Sequence, residues 1–412
     1  MTPEITRLPN GLRIVSECRP ELETVSVGVW TDVGTRHESK KLNGVSHFLE
    51  HMLFKGTETR SAKDIVLDIE SVGGHLNAYT TRDNTTYYVR VLKDDLDRAL
   101  DVLSDIVLNS VCDPKEIERE KDVILQEIGQ ALDTPDDVIF DHLQAVAYGE
   151  QSLARPILGE AAGIKTFTRS DLIDYMRRNY VASNIVVSAV GNFDHDHLVK
   201  IIEAKFGALA SGERQSAKKA IYRGGRKEEK RDLEQTHVTA AWPGCSYHDD
   251  DYYALQIYST ILGGGMSSRL FQEVREVRGL AYSVYSFCSS HEDTGLFGFY
   301  AGTGPESLDK LMPVIKAEME NLAKGPEAFE FEVAAAQMKA GLMMALESTT
   351  SRMEQLGRQL LIFDRVIPVQ EMLTNVASVQ TRDIKRLAEI YADPTQASMA
   401  LVGSGDFDSA RF

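Results

Sequence analysis

An α+β fold made of two homologous domains is what this sequence predicts. Three observations predict it: a repeat held at one fixed offset, an alternation of strand and helix periods within each copy, and a length of 412 residues, too great for one ordinary hydrophobic core. Displacing the chain against itself by 212 positions (236 minus 24) lays Thr24 on Thr236 and Trp30 on Trp242, the two tryptophans of the chain. The same offset lays Leu96-Asp97 on Leu308-Asp309, Pro114 on Pro326, Glu120 on Glu332, Asp171 on Asp383 and Val190-Gly191 on Val402-Gly403. Solenoid units run to roughly 20–50 residues, so a repeat this long marks two domains. The expected division is an N-terminal domain at 1–210, a linker at 211–232 and a C-terminal domain at 233–412. The linker stretch is polar, rich in Lys and Arg, and carries the pair Gly224-Gly225, which suits an exposed connection.

The elements follow in chain order. TVSVGVW (24–30) and the β-rich TTYYVRV (85–91) read as strands. LDRALDVLSDIVL (96–108) and KEIEREKDVILQEI (115–128) carry apolar residues at i, i+3, i+4 and i+7, the mark of amphipathic helices packed on a sheet. NIVVSAV (184–190) closes the first copy as a strand, and THVTAAW (236–242) opens the second. Each domain is therefore a sheet with helices on it.

With 43% apolar and 26% charged residues the chain has the composition of a soluble globular protein. A formal net charge of -17 argues against a nucleic-acid partner and leans toward basic ligands or substrates. The N-terminus has no basic segment followed by an apolar one, and no run of about 18 apolar residues occurs. Neither export nor membrane spanning is expected, and a cytoplasmic location is. Cys18, Cys112, Cys245 and Cys288 are scattered without a C-x-x-C pair, so any metal is expected on His and carboxylate.

The segment from Gly44 to Phe54 has no Pro and no internal Gly, and reads as one helix. His47 and His51, at i and i+4, then share a face from which two imidazoles can reach one Zn²⁺ at about 2.0–2.1 Å. Glu50 points into the same place as a general base, giving the inverted form of H-E-x-x-H. Phe48, Leu49, Met52, Leu53 and Phe54 make the helix largely buried, and buried His and Glu need partners that a metal supplies.

A catalytic zinc takes three protein ligands and keeps one position open. The third is sought on the helix from Pro114 to Gly129, where Glu120 and Glu127 lie seven residues apart on one face. The repeat bears on both: the 212 offset replaces His47, Glu50, His51 and Glu127 by Ser259, Leu262, Gly263 and Lys339, whereas Glu120 keeps a counterpart in Glu332. The set changes together, as one functional unit retained by the first domain would.

His47-x-x-Glu50-His51, followed 76 positions later (127 minus 51) by Glu127, resembles the pitrilysin/insulinase family of inverted-motif zinc peptidases. Length and the two-repeat layout are similar to the beta subunit of mitochondrial processing peptidase and its bacterial single-chain relatives. The resemblance implies Zn²⁺, one per chain, on His47, His51 and Glu127, with Glu120 supporting the ligands from behind. It implies that Asn77 and Ala78, in the run Gly73 to Thr80, dock an extended peptide, and that Arg275 and Tyr282, beyond the glycines 263–265, contact it near the scissile carbonyl. It further implies two domains enclosing a chamber, peptides as substrates, and a homodimer. Two alternatives accompany it: a non-catalytic subunit of a processing or respiratory complex, and an active subunit dependent on a partner chain.

Overall fold

The computed structural model describes every residue except Met1, Gln215, Arg411 and Phe412. The chain forms two compact units, each assembled from three separate stretches. The first takes residues 1–129, 155–218 and 343–367; the second takes 130–154, 219–342 and 368–412.

In the first unit, β1 (Glu4–Arg7), β2 (Arg13–Cys18), β3 (Thr24–Thr31), β4 (His75–Thr80), β5 (Thr85–Leu92) and β6 (Ile185–Gly191) form one sheet in the order β1-β2-β6-β3-β5-β4. β2 and β6 run parallel, and the other pairings are antiparallel. Alternation along the strands sorts side chains to two cores. Ile14, Val25, Val27, Val29, Ile185, Val187 and Ala189 face a large cluster built with the helices Val45–Leu53, Leu96–Asn109, Arg169–Asn179 and His195–Phe206. Val15, Trp30, Val186 and Val190 face the opposite way, onto Met353, Leu356, Leu360 and Leu361 of the helix Thr349–Phe363. Helices on both faces explain why the central strands read as apolar runs rather than clean alternations.

The helix Thr349–Phe363 is seated by more than its apolar stripe. Arg352 pairs with Glu17 of β2 at 2.7 Å, both buried, and Ser188 Oγ donates to the Met353 carbonyl at 2.9 Å. Gly357 lies flat on Trp30: a Cβ there would stand 2.7 Å from the indole ring. Burying the four apolar residues contributes a gross ~6–12 kcal/mol.

In the second unit, β7 (Gly225–Lys230), β8 (Thr236–Pro243), β9 (Ala281–Ser290), β10 (Gly295–Thr303) and β11 (Ser398–Gly403) form a sheet in the order β7-β11-β8-β10-β9. Val238, Ala240, Trp242, Phe297, Phe299 and Leu401 face one core; Ala241, Leu296, Tyr300, Ala400 and Val402 face another, closed by Val138, Ile139, Leu143 and Tyr148 of the helix Pro135–Tyr148. Offsets of 212 relate β2 to β7 and β3 to β8 by their first residues. The two helices that cover the far faces are themselves repeat counterparts, and each belongs to the unit built mainly from the other half of the chain.

The division expected at 1–210, 211–232 and 233–412 follows the chain in order, whereas the compact units exchange segments, with the chain passing between them at 129/130, 154/155, 218/219, 342/343 and 367/368. Within the span expected as a linker, Gly225–Lys230 is a strand, β7, paired in parallel with β11. Among the described residues no helix is long and apolar enough to cross a membrane. All four cysteines are free thiols.

Candidate metal centre

The helix Val45–Leu53 is set by its start. Gly44 holds a left-handed conformation (φ 93°), and a Cβ there would lie 2.8 Å from the Leu158 carbonyl oxygen. The buried carboxylate of Glu38 accepts from the backbone N–H groups of Gly44 and Ser46 at 2.7 and 2.8 Å, supplying a negative charge at the positive end of the helix. Ser46 Oγ shares a 2.8 Å hydrogen bond with the Tyr175 hydroxyl, and Phe48, Leu49, Met52 and Leu53 are fully buried. Those anchors turn His47, Glu50 and His51 toward the helix Pro114–Asp133 and β4.

His47, His51 and Glu127 offer donor atoms that all lie within 4.8 Å of one another. Nε2 of His47 stands 3.6 Å from Glu127 Oε1, and Nε2 of His51 stands 3.6 Å from Glu127 Oε2. These separations are too long for hydrogen bonds. They are close to the roughly 3.4 Å between two donors that each sit 2.1 Å from one tetrahedral zinc. Three donors that converge without bonding to one another fit a small cation, and two imidazoles with a carboxylate suit zinc. Burial and the neighbouring His51 hold His47 down to about 4, so its ring is neutral near pH 7 and its lone pair is available. Its Nδ1 is buried and, among the described residues, has no hydrogen-bond partner.

His51 is held differently. Its Nδ1 shares a 2.8 Å hydrogen bond with Glu120 Oε1, while the other carboxylate oxygen takes Lys55 Nζ at 2.7 Å. Burial would lower His51, but the bond to Glu120 and the charges of Glu120, Glu127 and Glu50 win and raise it. Glu120, buried and raised by that burial, is brought below the usual carboxylate range by its bonds to His51 and Lys55. Ile124 and Ile128 pack this helix on the core, whereas Val123 is exposed. Glu50 is raised by burial, against the pull of a 2.5 Å hydrogen bond from Thr80 Oγ1.

Residues 13–161 match the family described as insulinase (peptidase family M16), and residues 166–338 match the peptidase M16 inactive domain. An uncharacterized zinc protease of Rickettsia felis is 38% identical over 98% of this chain and 98% of its own length. Another, from Bacillus subtilis, is 38% identical over 97% of this chain and 98% of its own. The chain belongs to the insulinase family, peptidase family M16. A crystal structure of a Helicobacter pylori protease has the same fold, with a TM-score of 0.91 at 22% identity, over 98% of this chain and 99% of that one. Membership accounts for the two matched domains and makes the chain a relative of zinc peptidases.

Of the other residues expected at an M16 site, two are in the first unit and two in the second. Asn77 and Ala78 sit on β4, an edge strand paired on one side with β5, and Asn77 is exposed. Arg275 belongs to the second unit, on a single π-helical stretch, Phe271–Val277, stacked against Phe271 (4.7 Å) and against Tyr282 (4.4 Å), which is 74% exposed. In that unit the counterparts of the ligands build something else. Ser259 Oγ bonds Ser286 Oγ at 2.9 Å, and a Cβ on Gly263 would fall 2.4 Å from the Ser286 backbone nitrogen. Strand β9 thus leaves no room for a side chain at position 263. Among the described residues, His47, His51 and Glu127 are the one group of ligating side chains close enough to share an ion. Lys55, Thr80 and Glu38 escape sequence reading; period-two alternation, which puts Leu76, Ala78 and Thr80 on one face of β4, was the available signal for Thr80.

Proposed function

We propose that the chain is a zinc-dependent endopeptidase that hydrolyses peptides or unfolded segments, with Glu50 as general base. The observation that carries this reading is the convergence of His47, His51 and Glu127 on one point beside the Glu50 carboxylate. Zinc, when bound, supplies a Lewis acid that makes a water acidic and polarises the scissile carbonyl. Glu50 takes a proton from the attacking water and delivers it to the leaving amide nitrogen. Burial supports that role, because a carboxylate lifted above its ordinary range holds a proton long enough to pass it on. Glu120 keeps His51 in the tautomer whose Nε2 lone pair points outward.

The unpaired side of β4 favours an extended substrate added as a further strand along Asn77 and Ala78, which restricts substrates to segments that can unfold. Arg275 and Tyr282 are assigned to the developing oxyanion as donors, an assignment that rests on the family resemblance. A net charge of -17 favours basic peptides, and equal cleavage of basic and acidic peptides of matched length would remove that preference. The homodimer rests on the resemblance alone and is read from the molar mass by light scattering.

The deciding experiment compares wild type with Glu50→Gln on a quenched peptide library, with zinc quantified in both. Zinc in both proteins and cleavage by the wild type alone is the expected result. Zinc in both and cleavage by neither would replace this reading with a non-catalytic or partner-dependent subunit.

A further inference from the structure

Glu50 is a long side chain with one fixed end, and its usefulness as a base depends on where the carboxylate points. Among the described residues its hydrogen-bond partner is Thr80, whose Oγ1 donates to Oε2 at 2.5 Å. The direction of that bond follows from the carboxylate, which when ionised can only accept. Thr80 stands opposite Thr85 in the β4–β5 register, with the two Oγ1 atoms 3.4 Å apart. Thr85 donates its own proton to the Val33 carbonyl at 3.0 Å, and its backbone carbonyl accepts from Thr31 Oγ1 at 3.0 Å. Thr85 Oγ1 can then only accept from Thr80, and the Thr80 proton goes to the carboxylate at 2.5 Å in preference to that hydroxyl at 3.4 Å.

The placement is rigid. Leu76 and Ala78 lie on the face of β4 that packs on the core of the motif helix, and period-two alternation puts Thr80 on that face with them. A β-branched side chain in a strand is restricted about χ1, so its hydroxyl is a fixed donor. We infer that Thr80 is a positioning residue for the catalytic base: its hydroxyl holds Oε2 of Glu50 and leaves Oε1 as the oxygen that takes and returns the proton. Asn77 lies three residues away on the same edge strand, so a substrate paired along β4 would stiffen the segment that aims the base. This inference rests on the peptidase reading and adds a residue to it.

The test is Thr80→Val, nearly isosteric and without a donor, beside Thr80→Ser, which keeps the hydroxyl. Zinc content, melting temperature, kcat and KM are measured for each, and peptide affinity is measured by calorimetry with and without Thr80→Val in a Glu50→Gln background. Loss of aim costs on the order of 100-fold in rate. The expected result for Thr80→Val is a fall of that size in kcat, with KM, peptide affinity and zinc content unchanged and most of the loss recovered in Thr80→Ser. A zinc-loaded Thr80→Val as fast as the wild type would overturn the inference, and so would equal impairment of Thr80→Val and Thr80→Ser. A zinc-loaded wild type that cleaves nothing would instead bring down the peptidase reading and this assignment with it.

Discussion

Glu120→Gln removes a charge from the metal centre without removing a ligand. In the wild type one oxygen of Glu120 takes His51 Nδ1 at 2.8 Å and the other takes Lys55 Nζ at 2.7 Å, and the side chain is 3% exposed. Glutamine has the same length, but its single carbonyl can accept from one of these donors only, and its amide then faces the other donor. His51 also loses the negative charge that raises its basicity. Replacing such an outer-shell partner costs about 10–100-fold in metal affinity, which is roughly 1.4–2.7 kcal/mol. The zinc dissociation constant, measured near neutral pH by competition with a chromophoric chelator, should weaken by that factor while the fold persists. Adding Lys55→Met relieves the donor-on-donor contact and should recover part of the loss. Wild-type affinity in Glu120→Gln would refute the role drawn for this residue, and a loss as large as that of Glu127→Gln would make Glu120 a ligand instead.

Glu127→Gln, which weakens a direct ligand, should lose more affinity than Glu120→Gln and leave the protein metal-poor after desalting, as read by atomic absorption. Zinc binding should also weaken with acid in a defined order. His51, raised above its ordinary value, takes up a proton first as pH falls, whereas His47 stays neutral until about pH 4. Affinity is full above the His51 value and falls about tenfold per pH unit below it, with one proton displaced per zinc down to pH 5; a two-proton slope there would contradict the assignment. Gly357→Ala sets a helix-propensity gain of about 1 kcal/mol against the cost of a Cβ 2.7 Å from the buried Trp30 ring, about 1–3 kcal/mol. Because Trp30 has no room to yield, the clash should win and lower the melting temperature by about 2–4 °C, checked by tryptophan fluorescence.

Much of this was legible in the residues. Val25, Val27 and Val29 against Trp30 announce a strand, and the fixed offset to THVTAAW announces its twin. The two histidines and Glu50 announce themselves because one helical turn brings them to one face, and Glu127 was marked, with Glu120 seven residues before it, as one of two acids on a single face of the following amphipathic helix. β7 did not, because it is an edge strand with exposed charges at Arg226, Lys227 and Glu228 and no apolar alternation to betray it. The exchange of the helices Pro135–Tyr148 and Thr349–Phe363 was equally hidden, since an amphipathic stripe shows that a helix covers something and not which sheet it covers. Thr80 was invisible for another reason: a threonine in a strand is ordinary until a carboxylate from another element arrives beside it.

The exchanged helix has a consequence in time. A ribosome releases every strand of the first sheet long before it releases Thr349–Phe363: from residue 218 to residue 363 is 145 residues, or roughly 7–29 s of synthesis at 5–20 residues per second. Throughout that interval Val15, Trp30, Val186 and Val190 await the side chains that will shield them. The first sheet is therefore covered on one face only after the rest of its unit has been synthesised, and each nascent molecule carries a sticky surface for seconds, during which a chaperone or a neighbouring polysomal chain competes with the protein's own C-terminal half.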